Sequence, residues 1–289
     1  MKDLLVGIVV TGALFSLGSV AFVLVIRGTG VFNFAQGQML ALGAYVLFEL
    51  VTRLGEARFG VALVLTLGLL GVVGALTYRV VLVHLEGAPL WTIVMALFGL
   101  GYILDALIRM RWSSQVEFLP LPFSMQRLEL PLGFATTQLD LVLTLASLVM
   151  LAAVLAIVYL TPIGLHMRMS AENRTLAAYA GIKVERIAVL SWAMAGALIA
   201  FAGIGVALRT NVSTDVEGSF LVAFPAVVVG GLESIVGAIV GSFLLVTILE
   251  FGVTYINAEI SLPLSYAILL GILLVRPYGL FGARDIVRV

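Results

Sequence analysis

The sequence predicts an all-α polytopic membrane protein, and composition and patterning both support this fold class. Of the 289 residues, 62% are hydrophobic and 11% are charged, and the mean hydropathy is +1.19. Soluble domains average about 45–50% apolar and about 25% charged residues. The apolar residues also fall into runs of the length that a helix needs to cross a bilayer, about 20 residues. Lipid is therefore the expected surroundings of most of the chain.

Composition also excludes several classes of function. The formal net charge is zero and no basic tract occurs, which argues against a nucleic-acid partner. The chain has no cysteine, so it forms neither disulfides nor thiolate metal sites, and its two histidines are far apart. No acid/base pair at fixed spacing, nucleophile elbow or P-loop is present. We expect no catalytic residue, metal or cofactor on this chain.

The apolar runs predict nine membrane segments. The first is too long for the apolar core of a signal peptide and is interpreted as a retained span. The seventh is only just over half a span and contains Pro225, so it is either a crossing or a re-entrant segment, which leaves eight or nine spans. The segments cover about 4–26, 28–51, 59–83, 90–108, 139–160, 187–208, 218–231, 235–256 and 263–275. A polar loop is expected at 109–138.

The second segment opens with polar residues where a span is normally apolar. GTGVFNFAQGQ places Asn33, Gln36 and Gln38 among glycines. It is either a polar interfacial start to an ordinary helix or a discontinuous segment that lines a transport path. Non-helical backbone within the hydrocarbon region is tolerated only where it is buried in protein or lines a cavity.

An acidic side chain within an apolar segment indicates a structural or functional role, because placing a charge at mid-bilayer costs about 2.5–3.5 kcal/mol on insertion scales. Asp105 and Glu250 lie deepest, and Glu233 lies nearer a segment end. Each of the three is a candidate path residue. Asp105 is within about one turn of the outer loop and could instead meet water there.

The longest polar interruption, 166–183, has the pattern of a short capped helix at 170–182. Ser170 is the predicted cap, Glu172 falls in its first turn, and Gly181 is its predicted stop. Leu176, Tyr179, Ala180 and Lys183 share one face, spaced at i, i+3, i+4 and i+7. A helix of this kind between membrane spans indicates a surface that another protein grips.

Lysine and arginine placement predicts the orientation. The 166–186 loop and the C-terminal tail are assigned to the cytoplasm and the N-terminus to the outside. The cytoplasmic set is Arg168, Arg174, Lys183, Arg186, Arg276, Arg284 and Arg288. Arg109, Arg111 and Arg127 then lie outside, which counts against this orientation.

A faint internal similarity relates the two halves. The first span ends at Arg27 and the sixth at Arg209, and each is followed by a polar, interrupted start to the next segment. Either coincidence or a structural repeat, of the kind common among transporters, would explain this similarity.

Four ordered motifs resemble the permeases of branched-chain amino acid ABC transporters of the LivH type. They extend from the first span to the last and keep the family's order and spacing. They are FNFAQGQMLALGAY (32–45), SAENRTLAAYAGI (170–182), VVVGGLESIVGAIVGSFLL (227–245) and RPYGLFG (276–282). The resemblance implies a permease subunit of an importer in the bacterial cytoplasmic (inner) membrane, with 170–182 as the cytoplasmic coupling helix.

The resemblance also implies the partners. They are two ABC ATPase subunits, which hydrolyse the ATP, a second permease subunit, identical or related, and an extracytoplasmic binding protein that delivers the solute. The residues implied or predicted to face the ATPase are Ser170, Glu172, Asn173, Arg174, Leu176, Ala177, Tyr179, Gly181 and Ile182.

Four positions depart from the family pattern. Arg174 replaces a proline, Gln36 and Gln38 stand where His and Glu are frequent, and Glu233 stands where Gly or Asp is common. The resemblance implies a branched-chain or related amino acid as the cargo, and the departures leave urea or short amides as the alternative. A different class also stays open, a secondary transporter driven by an ion gradient, in which Asp105 and Glu250 carry protons or cations.

Overall fold

The computed structural model describes residues 1–113, 116–120, 126–130 and 134–282. Over those ranges the chain forms eleven α-helices and one two-stranded hairpin. The helices are α1 (Lys2–Thr29), α2 (Gln36–Leu54), α3 (Phe59–Leu76), α4 (Leu90–Trp112), α5 (Gln138–Leu160), α6 (Pro162–Glu172), α7 (Arg174–Tyr179), α8 (Val184–Arg209), α9 (Gly218–Gly230), α10 (Ile235–Tyr255) and α11 (Ala258–Val275). A π-helical turn, Thr77–Leu82, and a 3₁₀ turn, Val83–Leu85, extend α3, and further 3₁₀ turns lie at Glu56–Arg58 and Thr214–Glu217.

Seven helical segments within the described ranges are long and apolar enough to cross a membrane. They are α1, the continuous stretch Glu56–Leu85, α4, α5, α8, α10 and α11. The chain is thus a multi-pass α-helical membrane protein, as predicted. The other two predicted segments are also helices, but neither is among the seven. The polar start of α2 lowers its hydropathy, and α9 has 13 residues, about 20 Å, against about 30 Å of hydrocarbon.

Helices α1 and α8 form the centre of the bundle. They are the two most buried of the seven spans and run antiparallel, because Gly28 near the end of α1 lies beside Ser191 near the start of α8. A Cβ on Gly28 would lie 2.8 Å from the Ser191 Cβ, so only glycine fits that approach. Around this pair, α10 packs on α1 and α3 packs on α8.

The faint similarity between the halves corresponds to a shared arrangement. In each half a long central helix (α1 or α8) leads through an interruption into a helix outside the seven spans (α2 or α9). Since α1 and α8 are antiparallel, the two interruptions leave the central pair at opposite ends. This is the geometry of an inverted repeat.

The polar region between α4 and α5 departs from the predicted loop. Strand β1 (Arg127–Leu130) pairs antiparallel with β2 (Phe134–Thr137), which packs against α1. The sequence did not predict these strands, because four residues are too few to show a recognisable alternation of apolar and polar side chains. Pro122 and Pro131 of that loop, and Arg284 and Arg288 of the tail, lie outside the described residues.

Candidate functional site: an exposed helix and an aromatic cavity

The predicted single helix at 170–182 is two helices, so its predicted boundaries were wrong. Ser170 is buried within α6 and caps nothing, and Glu172 is the last residue of α6 rather than part of a first turn. Asn173 is the cap of α7, because it adopts an extended conformation and its Oδ1 accepts a hydrogen bond from the Leu176 N–H at 2.9 Å. Asparagine and serine are comparable caps, and the chain uses the later one.

The predicted stop at Gly181 is confirmed. Its φ is +82°, in the left-handed region that glycine adopts without strain. The Gly181 N–H donates to the Ala178 carbonyl and the Ile182 N–H donates to the Ala177 carbonyl, each at 3.0 Å. This pair of bonds is a Schellman motif, which satisfies the last carbonyls of α7 and turns the chain toward α8.

Helix α7 presents large side chains that the chain leaves uncovered. Leu176 is 64% exposed and Tyr179 is 83% exposed, whereas Ala177, between them, is buried against the bundle. Ala180 and Lys183 on the predicted face are exposed as well. Exposed leucine and tyrosine amid charged neighbours are typical of a surface that binds protein.

Polar contacts tie α7 to the turn between α3 and α4. Arg174 Nη2 lies 3.4 Å from Glu86 Oε1, and the hydroxyl of the buried Tyr78 donates to the same oxygen at 3.2 Å. Nearby, a second ion pair joins Arg79, in the π-helical turn that extends α3, to Glu185 in the first turn of α8 at 2.6 Å. A cavity of about 530 Å³ lies between α7 and this turn. We call this end of the bundle the α7 end.

The backbone between α1 and α2 is non-helical, and the predicted path residues Asn33, Gln36 and Gln38 come together there. Asn33 is buried, and its Oδ1 accepts from the Ala35 N–H at 3.1 Å. Gln36, the first residue of α2, is 1% exposed, and neither atom of its side-chain amide has a partner among the described residues. An unmet buried amide costs on the order of 1–3 kcal/mol.

Asn33 and Gln38 line a cavity of about 470 Å³ whose other walls are mainly aromatic. We call it the aromatic cavity. Its remaining lining residues come from α1, α2, α4, α9 and the segment before α2: Phe22, Phe32, Phe34, Gly37, Phe98, Gly101, Tyr102, Gly218 and Phe224. The volume falls in the range of small-molecule sites, about 300–1,000 Å³.

The phenylalanine rings of the cavity contact one another. The rings of Phe32 and Phe224 meet edge to face at 5.3 Å, those of Phe22 and Phe224 at 5.9 Å, and those of Phe34 and Phe98 stack at 4.5 Å. Offset and edge-to-face pairs of this kind add about 0.5–1.5 kcal/mol each to burial. Sequence reasoning missed Phe22, Phe98, Tyr102 and Phe224, and the FNF pattern around Asn33 was the one signal that pointed to aromatic walls.

The other predicted path residues lie elsewhere. Asp105 pairs with Arg109 at 2.8 Å, one turn along α4 from the cavity. Glu233 is exposed in the turn between α9 and α10, where its carbonyl accepts from Arg27 Nε at 2.6 Å. Glu250 lies against Gly7 near the N-terminal end of α1. The structure therefore does not bring these three carboxylates to the aromatic cavity.

A family model described as the permease component of branched-chain amino acid transport systems matches residues 4–275. The chain belongs to this permease family. The match covers both sites, since α7 and the aromatic cavity lie within it. No solved structure matches the chain.

Curated relatives of this permease align over nearly its full length. It is 28% identical to a probable branched-chain amino acid transport permease protein LivH of Methanocaldococcus jannaschii, over 97% of this chain and 92% of that protein. It is 26% identical to the high-affinity branched-chain amino acid transport system permease protein LivH of Escherichia coli K12, over 97% and 95%. It is 23% identical to the corresponding permease protein BraD of Pseudomonas aeruginosa, over 100% and 98%.

Proposed function

We propose that this chain is the membrane permease subunit of an ABC importer and forms part of the path for branched-chain or related amino acids. Family membership and the names of its relatives support the cargo class. The observation that carries the proposal is α7, a capped and stopped helix that presents Leu176 and Tyr179 outward.

ATPase subunits are the partners that this surface fits. The chain contains no Gly-Lys pair and hence no P-loop, so a separate subunit hydrolyses the ATP. In this proposal Leu176 and Tyr179 sit in a groove of that subunit, and closure of the ATPase pair pushes on α7. A second permease subunit completes the path, and an extracytoplasmic binding protein delivers the solute.

The α7 end faces the cytoplasm of the bacterial inner membrane in this proposal, and the C-terminus lies on the same side. The 166–186 segment carries four basic residues, which favours the cytoplasmic side. Arg276, at the end of α11, reaches that same end, because the following Leu280 N–H donates to the Val229 carbonyl at the end of α9.

The stop of α7 provides the test. Gly181→Pro removes the N–H that donates to the Ala178 carbonyl, and proline cannot adopt a φ of +82°. The turn that connects α7 to α8 is therefore disrupted. We expect normal membrane insertion and assembly but loss of ATP-dependent uptake. Gly181→Asn is the matched control, because asparagine tolerates the left-handed region and should retain most of the uptake. Uptake by Gly181→Pro at the wild-type rate would contradict the proposal.

A further inference from the structure

We infer that the aromatic cavity is the permease's own solute subsite and accepts a zwitterionic amino acid with an apolar side chain. The phenylalanine rings enclose the side chain, and Asn33, Gln38 and the start of α2 face its charged end. The inference rests on the proposed function and adds to it a place and a chemical selectivity within this subunit.

The walls set the side-chain preference. The rings of Phe22, Phe32 and Phe224 form one continuous edge-to-face cluster, and Phe34 and Phe98 form a stacked pair beside it. Aliphatic groups gain by leaving water for such walls, at about 0.8 kcal/mol per buried CH₂. A branched aliphatic side chain fits this surface better than a polar one.

The two amide side chains of the lining lie in one part of it. The side chains of Asn33 and Gln38 come from the segment before α2 and its first turn, beside Gly37. The start of a helix carries partial positive charge, which favours a carboxylate. The buried, unpartnered amide of Gln36 adjoins this group in the chain. An amino acid can therefore place its carboxylate toward the start of α2.

The described lining residues include no Asp, Glu, Lys, Arg or His. A solute with net charge would thus enter without a counter-ion, at a desolvation cost of several kcal/mol. A zwitterion has no net charge, and the aromatic faces attract its ammonium group. The lining therefore favours neutral amino acids over acidic and basic ones.

The position of the cavity supports a path through the membrane. Gly101 and Tyr102 lie near the middle of the 23-residue helix α4, yet Tyr102 is 75% exposed and Phe98 is 42% exposed. Tyrosine concentrates at membrane–water interfaces, and a phenol open at mid-span is unfavourable in lipid. This side of α4 must therefore face water or protein, and the second permease subunit would close the cavity there.

Absence of cysteine in the chain allows a direct accessibility test. Phe98→Cys lies in the cavity wall, whereas Ile103→Cys lies on the same helix, 58% exposed and outside the lining. The probe is a small, water-soluble, uncharged methanethiosulfonate applied to the complete reconstituted complex. We expect Phe98→Cys to react, and leucine with its binding protein to slow the reaction severalfold. Ile103→Cys should stay unreactive in lipid.

A second variant fills the cavity. A Cβ on Gly101 would lie 3.0 Å from Gln38 Oε1, whereas a Cβ on Gly99, two residues away on α4, meets nothing within 4 Å. Gly101→Leu should lower uptake more than tenfold, and Gly99→Leu should transport like the wild type. If Gly101→Leu fails to assemble, the labelling of Phe98→Cys decides the question alone.

The outcomes separate the two proposals. ATP-dependent uptake by the wild type, combined with unprotected Phe98→Cys and an active Gly101→Leu, would overturn the solute subsite and leave the importer intact. Equal labelling of Phe98→Cys and Ile103→Cys, both insensitive to leucine, would overturn it as well. A wild-type complex that takes up no amino acid with ATP would overturn the proposed function itself.

Discussion

Glycines allow the backbones of α3 and α8 to pack in direct contact. A Cβ on Gly74 of α3 would overlap the Trp192 carbonyl oxygen of α8, and a Cβ on Gly196 of α8 would overlap the Leu70 carbonyl oxygen of α3. Lipid tails supply no hydrophobic drive for helix association, so close packing of this kind holds the bundle together.

Gly74→Ala should destabilise the bundle by about 1–3 kcal/mol, because the methyl group forces α3 away from α8. Gly68→Ala is the matched control on the same helix, since a Cβ there meets nothing within 4 Å and alanine favours helix. Thermal melts in detergent, followed by size-exclusion chromatography, should show a lower Tm for Gly74→Ala alone. Equal Tm values for the two variants would contradict the close-packing explanation.

Individual residues differed in how far the sequence revealed them. Gly181 was predictable because few other residues end a helix with a positive φ, and Asn33 and Gln38 were conspicuous as amides within an apolar run. Phe98 and Phe224 were not predictable. Phenylalanine is ordinary in a membrane helix, and these rings join the cavity only after α4 and α9 have packed.

Among the elements, the turn between α3 and α4 is placed to connect the two sites. Glu86 in that turn meets Arg174 of α7, and the α4 that follows carries Phe98 and Tyr102 into the cavity. The π-helical turn Thr77–Leu82, which holds Tyr78, precedes the turn. Such π turns are frequent at functional sites. Displacement of α7 would thus reach α4 through Glu86.

Exchange of the charges tests this connection. Glu86→Arg and Arg174→Glu each place like charges together, and we expect each to lower solute transported per ATP hydrolysed. The pair is half-exposed and worth about 0.2–1 kcal/mol, so the loss should not exceed about fivefold. The double variant restores opposite charges and should recover coupling. If it were as impaired as the single variants combined, the link through Glu86 would be refuted.

Element boundaries followed from the sequence less well than element existence. The 170–182 stretch contains both Ser170 and Asn173 as possible caps, and local sequence does not say which one the tertiary packing selects. Burial of Ser170 in α6 decides the matter. The predicted segment 218–231, by contrast, agrees with the observed α9, Gly218–Gly230, to within one residue.

For the whole molecule, the energy source separates an ABC importer from a gradient-driven carrier. Glu250 lies near the N-terminal end of α1, away from the aromatic cavity, and Asp105 is already paired with Arg109. Neither carboxylate is among the residues that line that cavity. This placement agrees with the proposed importer, in which closure of the ATPase pair pushes on α7.

Glu250→Gln should consequently leave both the rate of ATP-dependent uptake and its pH dependence unchanged. The measurement is uptake by the reconstituted complex across pH 5.5–8, compared with the wild type. A changed pH or ion dependence in this variant would favour the secondary transporter.

The central claim is tested most directly by uptake of labelled leucine into proteoliposomes that hold this permease, its ATPase and second permease subunits, and the binding protein. We predict uptake only when all components and internal ATP are present. ATP-dependent uptake of urea or a short amide without leucine would keep the importer and replace the cargo. Gradient-driven uptake by this chain alone, without ATP, would contradict the claim.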